Sequence, residues 1–135
     1  MTLDDVLTGP IGVFVGRPQV EWHGETHYRY APTHRFLRPI TNEVIAPWQN
    51  FDTDGGSLPR ITWGIPGLNP WSYFPAYVIH DWLFTTHLKA VGVPCTFADA
   101  NLILAEGLLT LSCPKERVVM IYEAVQRFGR SHWGP

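Results

Sequence analysis

His80 and Asp81 stand side by side in AYVIHDWLF, residues 76–84, where every other side chain is aliphatic or aromatic. Both groups are costly to desolvate, so a buried-looking run that carries them needs a reason. A neutral imidazole, with an ordinary pKa of about 6.5, serves as a general base or a metal ligand, and a neighbouring carboxylate holds a cation or orients a partner. On a helix, consecutive side chains point about 100° apart, so the pair addresses two adjoining sub-sites rather than bonding to each other. The competing assignment is a core histidine bonded to a backbone carbonyl, with Asp81 reaching solvent or a loop amide.

Other residues could join that pair. Asp52 and Asp54 in NFDTDGGS, residues 50–57, form the D-x-D-G pattern of calcium loops, although an Asp before Gly is also a turn former. Ser57 is a nucleophile only with a base beside it and otherwise caps a turn. Arg60 either anchors this loop on a carboxylate such as Asp81 or binds an anion. His23 and His27 flank a turn and, with His34, suit a zinc site as well as an exposed hairpin. His87 follows His80 by two helical turns, about 10 Å, too far to share one ion. Cys95 and Cys113 bracket a segment that, as a helix, holds their sulfurs about 27 Å apart, so both are expected as free thiols. Trp63, Trp71 and Tyr73 are large amphipathic rings that either anchor an interface or fill core beneath a loop.

The elements that must position these groups follow from pattern. Upstream of Pro75, QVEWH (19–23), THYRYA (26–31), RFLRPI (35–40) and EVIAPW (43–48) alternate polar and apolar residues, with turn residues between them, and IGVFVG (11–16) adds a further strand. The Gly, Pro, Asp and Asn density after Asn50 predicts an irregular loop. Pro75 suits a first helical turn, and the run from 75 to about 88 is apolar on nearly all faces, which predicts a central buried helix. Thr96 and Asp99 form a capping-box-like T-x-x-D before ANLILAEGLLTL. A third helix opens at Pro114, carries Val118, Ile121, Tyr122, Val125 and Phe128 as its apolar stripe, and stops at Gly129. The expected fold is α+β in one domain, 1–135: a small amino-terminal antiparallel sheet or meander over about 11–49, a long loop over 50–74, three helices over 75–129 and a tail over 130–135.

Helix length decides which residue meets His80. If the first of these helices ends at His87 or Leu88, His80 stands level with residues near Asn101 to Glu106, favouring Glu106 as its partner. If it ends at Phe84, before the β-branched Thr85 and Thr86, Asp99 comes within reach. Asp99 has an alternative role as the third residue of the capping box.

Composition closes several function classes. The chain is 45% hydrophobic, which suffices for a core at 135 residues, and its net charge of -2 offers no global basic surface for duplex nucleic acid. MTLDDVLTGP lacks the basic and apolar regions of a secretory signal, and no apolar run approaches a membrane span, so synthesis in a cytoplasm without a transmembrane segment is expected.

The order Asp54-Gly55-Gly56-Ser57-Leu58-Pro59-Arg60, Ala76-x3-His80-Asp81-Trp82-Leu83-Phe84, Ala98-Asp99 and MIYEAVQRFG (120–129) resembles the domain-of-unknown-function family numbered 1353, common in bacteriophages and prophages. The resemblance spans roughly 28–129; family members more often carry Ala at Gly56 and Tyr at Phe84. It implies a phage context: made in the host cytoplasm, then part of the virion as a tail, baseplate or host-penetration accessory protein, with other virion proteins as partners. A more local resemblance joins the His-Asp helix to secreted phospholipases of the A-two class. It implies His80 as the base that activates water, Asp99 as the carboxylate that orients it, and calcium, rather than zinc, on Asp81 with Asp54 and the carbonyls of Gly55 and Gly56. The substrate would be an envelope lipid or peptidoglycan ester or amide. Those phospholipases are stapled by disulfides and have a more glycine-rich calcium loop, and this chain has neither feature. A virion subunit without catalysis is the alternative, with Trp63, Trp71 and Tyr73 packing on neighbouring subunits.

Overall fold

Thr2 and Asp5 start the first helix, α1 (Leu3–Thr8), by a reciprocal capping box in which each accepts a hydrogen bond from the other's amide. The computed structural model describes residues 1–22, 28–31, 34–48, 51–53 and 73–134, and at 19–22, 28–31 and 51–53 the backbone alone. The paired runs of the amino-terminal half form as expected. Strands β2 (Gln19–Trp22) and β3 (Tyr28–Ala31) pair antiparallel with Gln19 opposite Ala31, and β4 (Arg35–Leu37) pairs with β5 (Val44–Ile45) with Leu37 opposite Val44. They belong to two sheets rather than one meander. Strand β1 (Val13–Val15) lies against β4, giving the order β1-β4-β5, while β6 (Phe51–Thr53) joins β3, giving β2-β3-β6. The segment after Asn50 thus begins as a strand, and 54–72 lie outside the described residues.

The three long helices are α2 (Phe74–Thr86), α3 (Phe97–Thr110) and α4 (Lys115–Phe128), with a hairpin, β7 (Leu88–Ala90) and β8 (Val93–Pro94), between the first two. Pro75 occupies the first turn of α2, and Thr85 and Thr86 stay helical, Thr86 Oγ1 donating to the Trp82 carbonyl. The helix stops at His87, which adopts the left-handed conformation at φ 58°; its ring stacks on Trp133 and its Nε2 donates to the Trp133 carbonyl. Helix α3 is buried without interruption from Ala100 to Leu108, so it, rather than α2 alone, is the axis of the molecule. Gly107 permits this: a Cβ there would lie 3.1 Å from that of Ala76 and 3.3 Å from the Phe14 ring.

One side of the core joins α1, α2, α3 and α4 through Val6, Ala76, Tyr77, Leu104, Leu108, Val118, Ile121 and Val125. The other joins the β1-β4-β5 sheet to α2 and α3 through Phe36, Ile45, Ile79, Trp82, Leu83 and Ile103. Val118, Ile121 and Val125 are buried as the periodicity of α4 requires, but Phe128 is 58% exposed. The chain turns at Gly129 into a last helical turn, α5 (Arg130–Trp133), and Trp133 packs against Phe84 and Phe97 instead. The tail is therefore docked on the chain's own core. Both cysteines are free and buried, and among the described residues no helix is long and apolar enough to cross a membrane.

Candidate functional site

His80 points from α2 at α3, where it meets Asn101: Nε2 and Asn101 Oδ1 are 2.8 Å apart. Asn101 Nδ2 in turn donates to Gln126 Oε1 of α4 at 2.6 Å. Three side chains from three helices thus make one relay. Its hydrogens have two self-consistent arrangements. In one, His80 Nε2–H donates to Asn101 and His80 Nδ1 is a bare lone pair; with both amides turned over, Nδ1 would be a buried N–H. His80 Nδ1 is buried and has no hydrogen-bond partner among the described residues. An orphaned N–H is the rarer defect in an interior, which favours the Nε2–H tautomer of His80. A second proton would have to sit on Nδ1 with nothing to accept it. Burial accordingly lowers the His80 pKa to about 4, against a smaller opposing effect of the Asn101 bond. The ring is neutral at pH 7, with Phe84 packed 4.2 Å from it.

Neither carboxylate expected beside His80 is there. Because α2 continues to Thr86, Asn101 is the residue level with His80, and Asp99, two positions earlier on α3, points about 200° away from it. Glu106 follows Asp99 by seven residues and so shares its face, which turns toward β4 and β7. Both meet Arg38 there. Arg38 is buried; its Nε donates to Glu106 Oε2 at 2.8 Å, and its Nη1 lies 2.7 Å from Glu43 Oε1 and 3.2 Å from Asp99 Oδ2. Lys89 of β7 completes the cluster by pairing with Glu43 and Asp99. The Thr96 hydroxyl accepts the Asp99 amide hydrogen, so Asp99 is capped through its backbone while its carboxylate works in the ion cluster.

Among the described residues, two cations here face three carboxylates. Despite partial burial, the Lys89 bond and the charges of Arg38 and Lys89 hold Asp99 below the ordinary carboxylate range, and Glu43 is lowered in the same way. Glu106 moves the other way: burial raises it, and the nearby charges of Asp99 and Glu43 add to that against the pull of Arg38. Its Oε1 has no hydrogen-bond partner among the described residues. Glu106 is therefore the member that takes a proton first.

The remaining candidates are placed as follows. Asp81 is half-buried on α2 and is engaged with its surroundings. The other members of the expected calcium set, Asp54, Gly55 and Gly56, lie outside the described residues, as do Ser57, Arg60, His23, His27, Trp63 and Trp71. Among the described residues no three His, Cys, Asp or Glu side chains are grouped to hold a metal ion. Tyr73 is buried in the helical core. His34 is buried, its Nε2 3.3 Å from the Pro75 carbonyl, and burial lowers its pKa. Burial pushes the Cys95 thiol up to about 12, with the Asp99 charge adding to it, and raises Cys113, so neither is a thiolate near pH 7.

Sequence reading passed over Gln126, Arg38, Glu43 and Lys89, and named Asn101 only as one end of the stretch level with His80, favouring Glu106 over it. Two of them left a signal. In RFLRPI, Arg38 has the same parity as the inward Phe36, and Asn101 is a lone amide inside an apolar helical run. Glu43, Lys89 and Gln126 read as ordinary surface residues.

No curated protein and no solved structure matches this chain. A family model described as a protein of unknown function, DUF1353, matches residues 32–125, a span that holds His80, Asn101 and the whole ion cluster. The chain belongs to the DUF1353 family of proteins of unknown function.

Proposed function

We propose that this chain is a phage-type accessory protein of the tail, baseplate or host-penetration apparatus, and that it carries a hydrolytic centre in which His80 is the general base. The observation that supports it is the pairing of the ring: Nε2 lies 2.8 Å from Asn101 Oδ1 while Nδ1 has no hydrogen-bond partner among the described residues, which suits a neutral ring with a bare Nδ1 lone pair. Nδ1 takes a proton from water as the oxygen attacks an acyl carbon of an envelope lipid or peptidoglycan. The proton then passes to the departing alcohol or amine as the tetrahedral intermediate collapses, and His80 returns to neutral. Asn101, held by Gln126, fixes the ring's orientation. At 1% exposure His80 is sealed, so turnover needs the packing over Nδ1 to open. The phage setting rests on the motif order Asp54–Arg60, Ala76–Phe84 and Ala98-Asp99.

Phospholipid and peptidoglycan hydrolysis by wild type and His80→Gln, with and without calcium, tests the catalytic half. Activity abolished in a folded His80→Gln variant supports it; a rate equal in both proteins overturns it. A calcium-dependent rise in Tm that Asp81→Asn removes would place a calcium ion at Asp81. Mass spectrometry of purified particles tests the virion half. The sealed ring also favours a second reading, a subunit without catalysis in which the relay only ties α2, α3 and α4 together. No hydrolysis, together with loss of stability in Asn101→Leu, would select it.

A further inference from the structure

His80 is fully buried, yet the ring packed on it, Phe84, is only half-buried. Phe84 follows His80 by one helical turn on α2, with 4.2 Å between the two ring centres, so it forms a layer between the histidine and the outside. What holds that layer down comes from beyond α4. The chain turns at Gly129 so close to Phe84 that a Cβ there would lie 3.3 Å from its ring, and Trp133 of α5 meets the same ring edge-on at 5.2 Å. Phe97 of α3, 5.8 Å from Phe84 and 6.0 Å from Trp133, completes a triangle of rings over the end of α2.

Few groups attach α5. Of its four residues Trp133 alone is buried, and Arg130, Ser131 and His132 are exposed. Trp133 stacks on His87 at 3.8 Å between ring centres, its carbonyl accepts from His87 Nε2, and the Arg130 guanidinium lies 5.1 Å from the centre of the Phe97 ring. A short element with one buried anchor opens locally at a lower free energy than the whole fold. Helices α2 and α3 are held along their length by both sides of the core, so α5 can leave while the helix of His80 stays folded. We propose that α5 is a strap over His80: docked, it presses Phe84 onto the imidazole and keeps water from it; undocked, it lets Phe84 turn outward and the ring meet solvent. The strap provides the opening that turnover at His80 requires, and its part as a gate rests on the assignment of His80 as the base.

Carbethoxylation of neutral imidazoles by diethyl pyrocarbonate, located by peptide mass spectrometry on the full chain at pH 7, tests it. Labelling of His80 follows the open population, and His34, equally buried but set against the Pro75 carbonyl at the start of α2, reports loosening of the whole fold. Arg130→Ala removes only the contact over Phe97 from an exposed position and should raise His80 labelling about two- to fivefold relative to His34. Trp133→Ala should raise it by roughly tenfold or more, and the exposed Phe128→Ala should leave it unchanged. Equal rises at His80 and His34, or no rise at His80 in folded Arg130→Ala and Trp133→Ala, overturn the proposal. Hydrolysis by the same variants separates the two claims: turnover that rises with labelling supports the gate, whereas labelling that rises without turnover keeps the strap and overturns His80 as the base.

Discussion

A neutral histidine sealed in the interior makes stability depend on pH with a definite sign. The folded-state pKa of His80 is about 4, below its ordinary 6.5. As pH falls through 6.5 the unfolded chain takes up the proton first, so stability is lost between about 6.5 and 4, by about 3 kcal/mol from this group. His34, also lowered by burial, acts in the same direction. Asp99 and Glu43 are lowered carboxylates, whose contribution is lost as pH falls from the ordinary carboxylate range through their lowered values, so they add to the loss on the acid side. Urea denaturation across that window should therefore show a shallower loss in His80→Gln than in wild type, with His34 still acting in the same direction and Glu106, whose pKa is raised, acting against it. The partner can be tested separately. Asn101→Asp puts a carboxylate against Nε2–H and favours the imidazolium, so the His80 pKa should rise by about one unit or more in an NMR titration. An unchanged value would mean that residue 101 does not face the ring. If the protein is a hydrolase, the acid limb of its rate profile should move up by the same amount.

Elements meet at the ion cluster, which fastens β4 and β7 to the buried axis α3. Its energetics are asymmetric. Arg38→Met removes the cation that Glu106 faces and should cost about 3–5 kcal/mol, because a desolvated carboxylate loses its partner. Arg38→Met/Glu106→Leu removes both charges and should recover much of that loss in equilibrium denaturation. Two single variants that simply add would show that Arg38 and Glu106 do not act as a pair. The pattern of α3 explains why the cluster and the relay coexist: Asp99 and Glu106 share one face, Asn101 another, and the helix is buried on both.

At the scale of the whole molecule, closure depends on the last turn. Trp133 stacks on His87, where α2 ends, and packs against Phe84 of α2 and Phe97 of α3, so a four-residue helix locks the ends of two long ones. Trp133→Ala should cost about 3–5 kcal/mol, read as a lowered denaturation midpoint, whereas the exposed Phe128→Ala should cost far less.

Local pattern carried the elements. Three long helices, their N-terminal signals and the β2-β3 and β4-β5 hairpins were legible because hydrophobic period, Pro75, Thr96 and turn residues act over a few positions of chain. The short α1 and the β7-β8 hairpin gave too few residues for a period, and the separation into two sheets depends on β1 choosing β4, a pairing across some twenty residues. At the site, the sequence alone marked His80 as a group needing a partner and confined that partner to a short stretch of α3. Which residue it met was decided by where α2 stops. That end is held by Thr86 and by the stacking of His87 on Trp133, a contact between residues 46 apart. A shift of two residues along α3 turns a side chain by about 200°, so the tertiary end of one helix selected an amide over a carboxylate and sent Asp99 to Arg38 and Lys89.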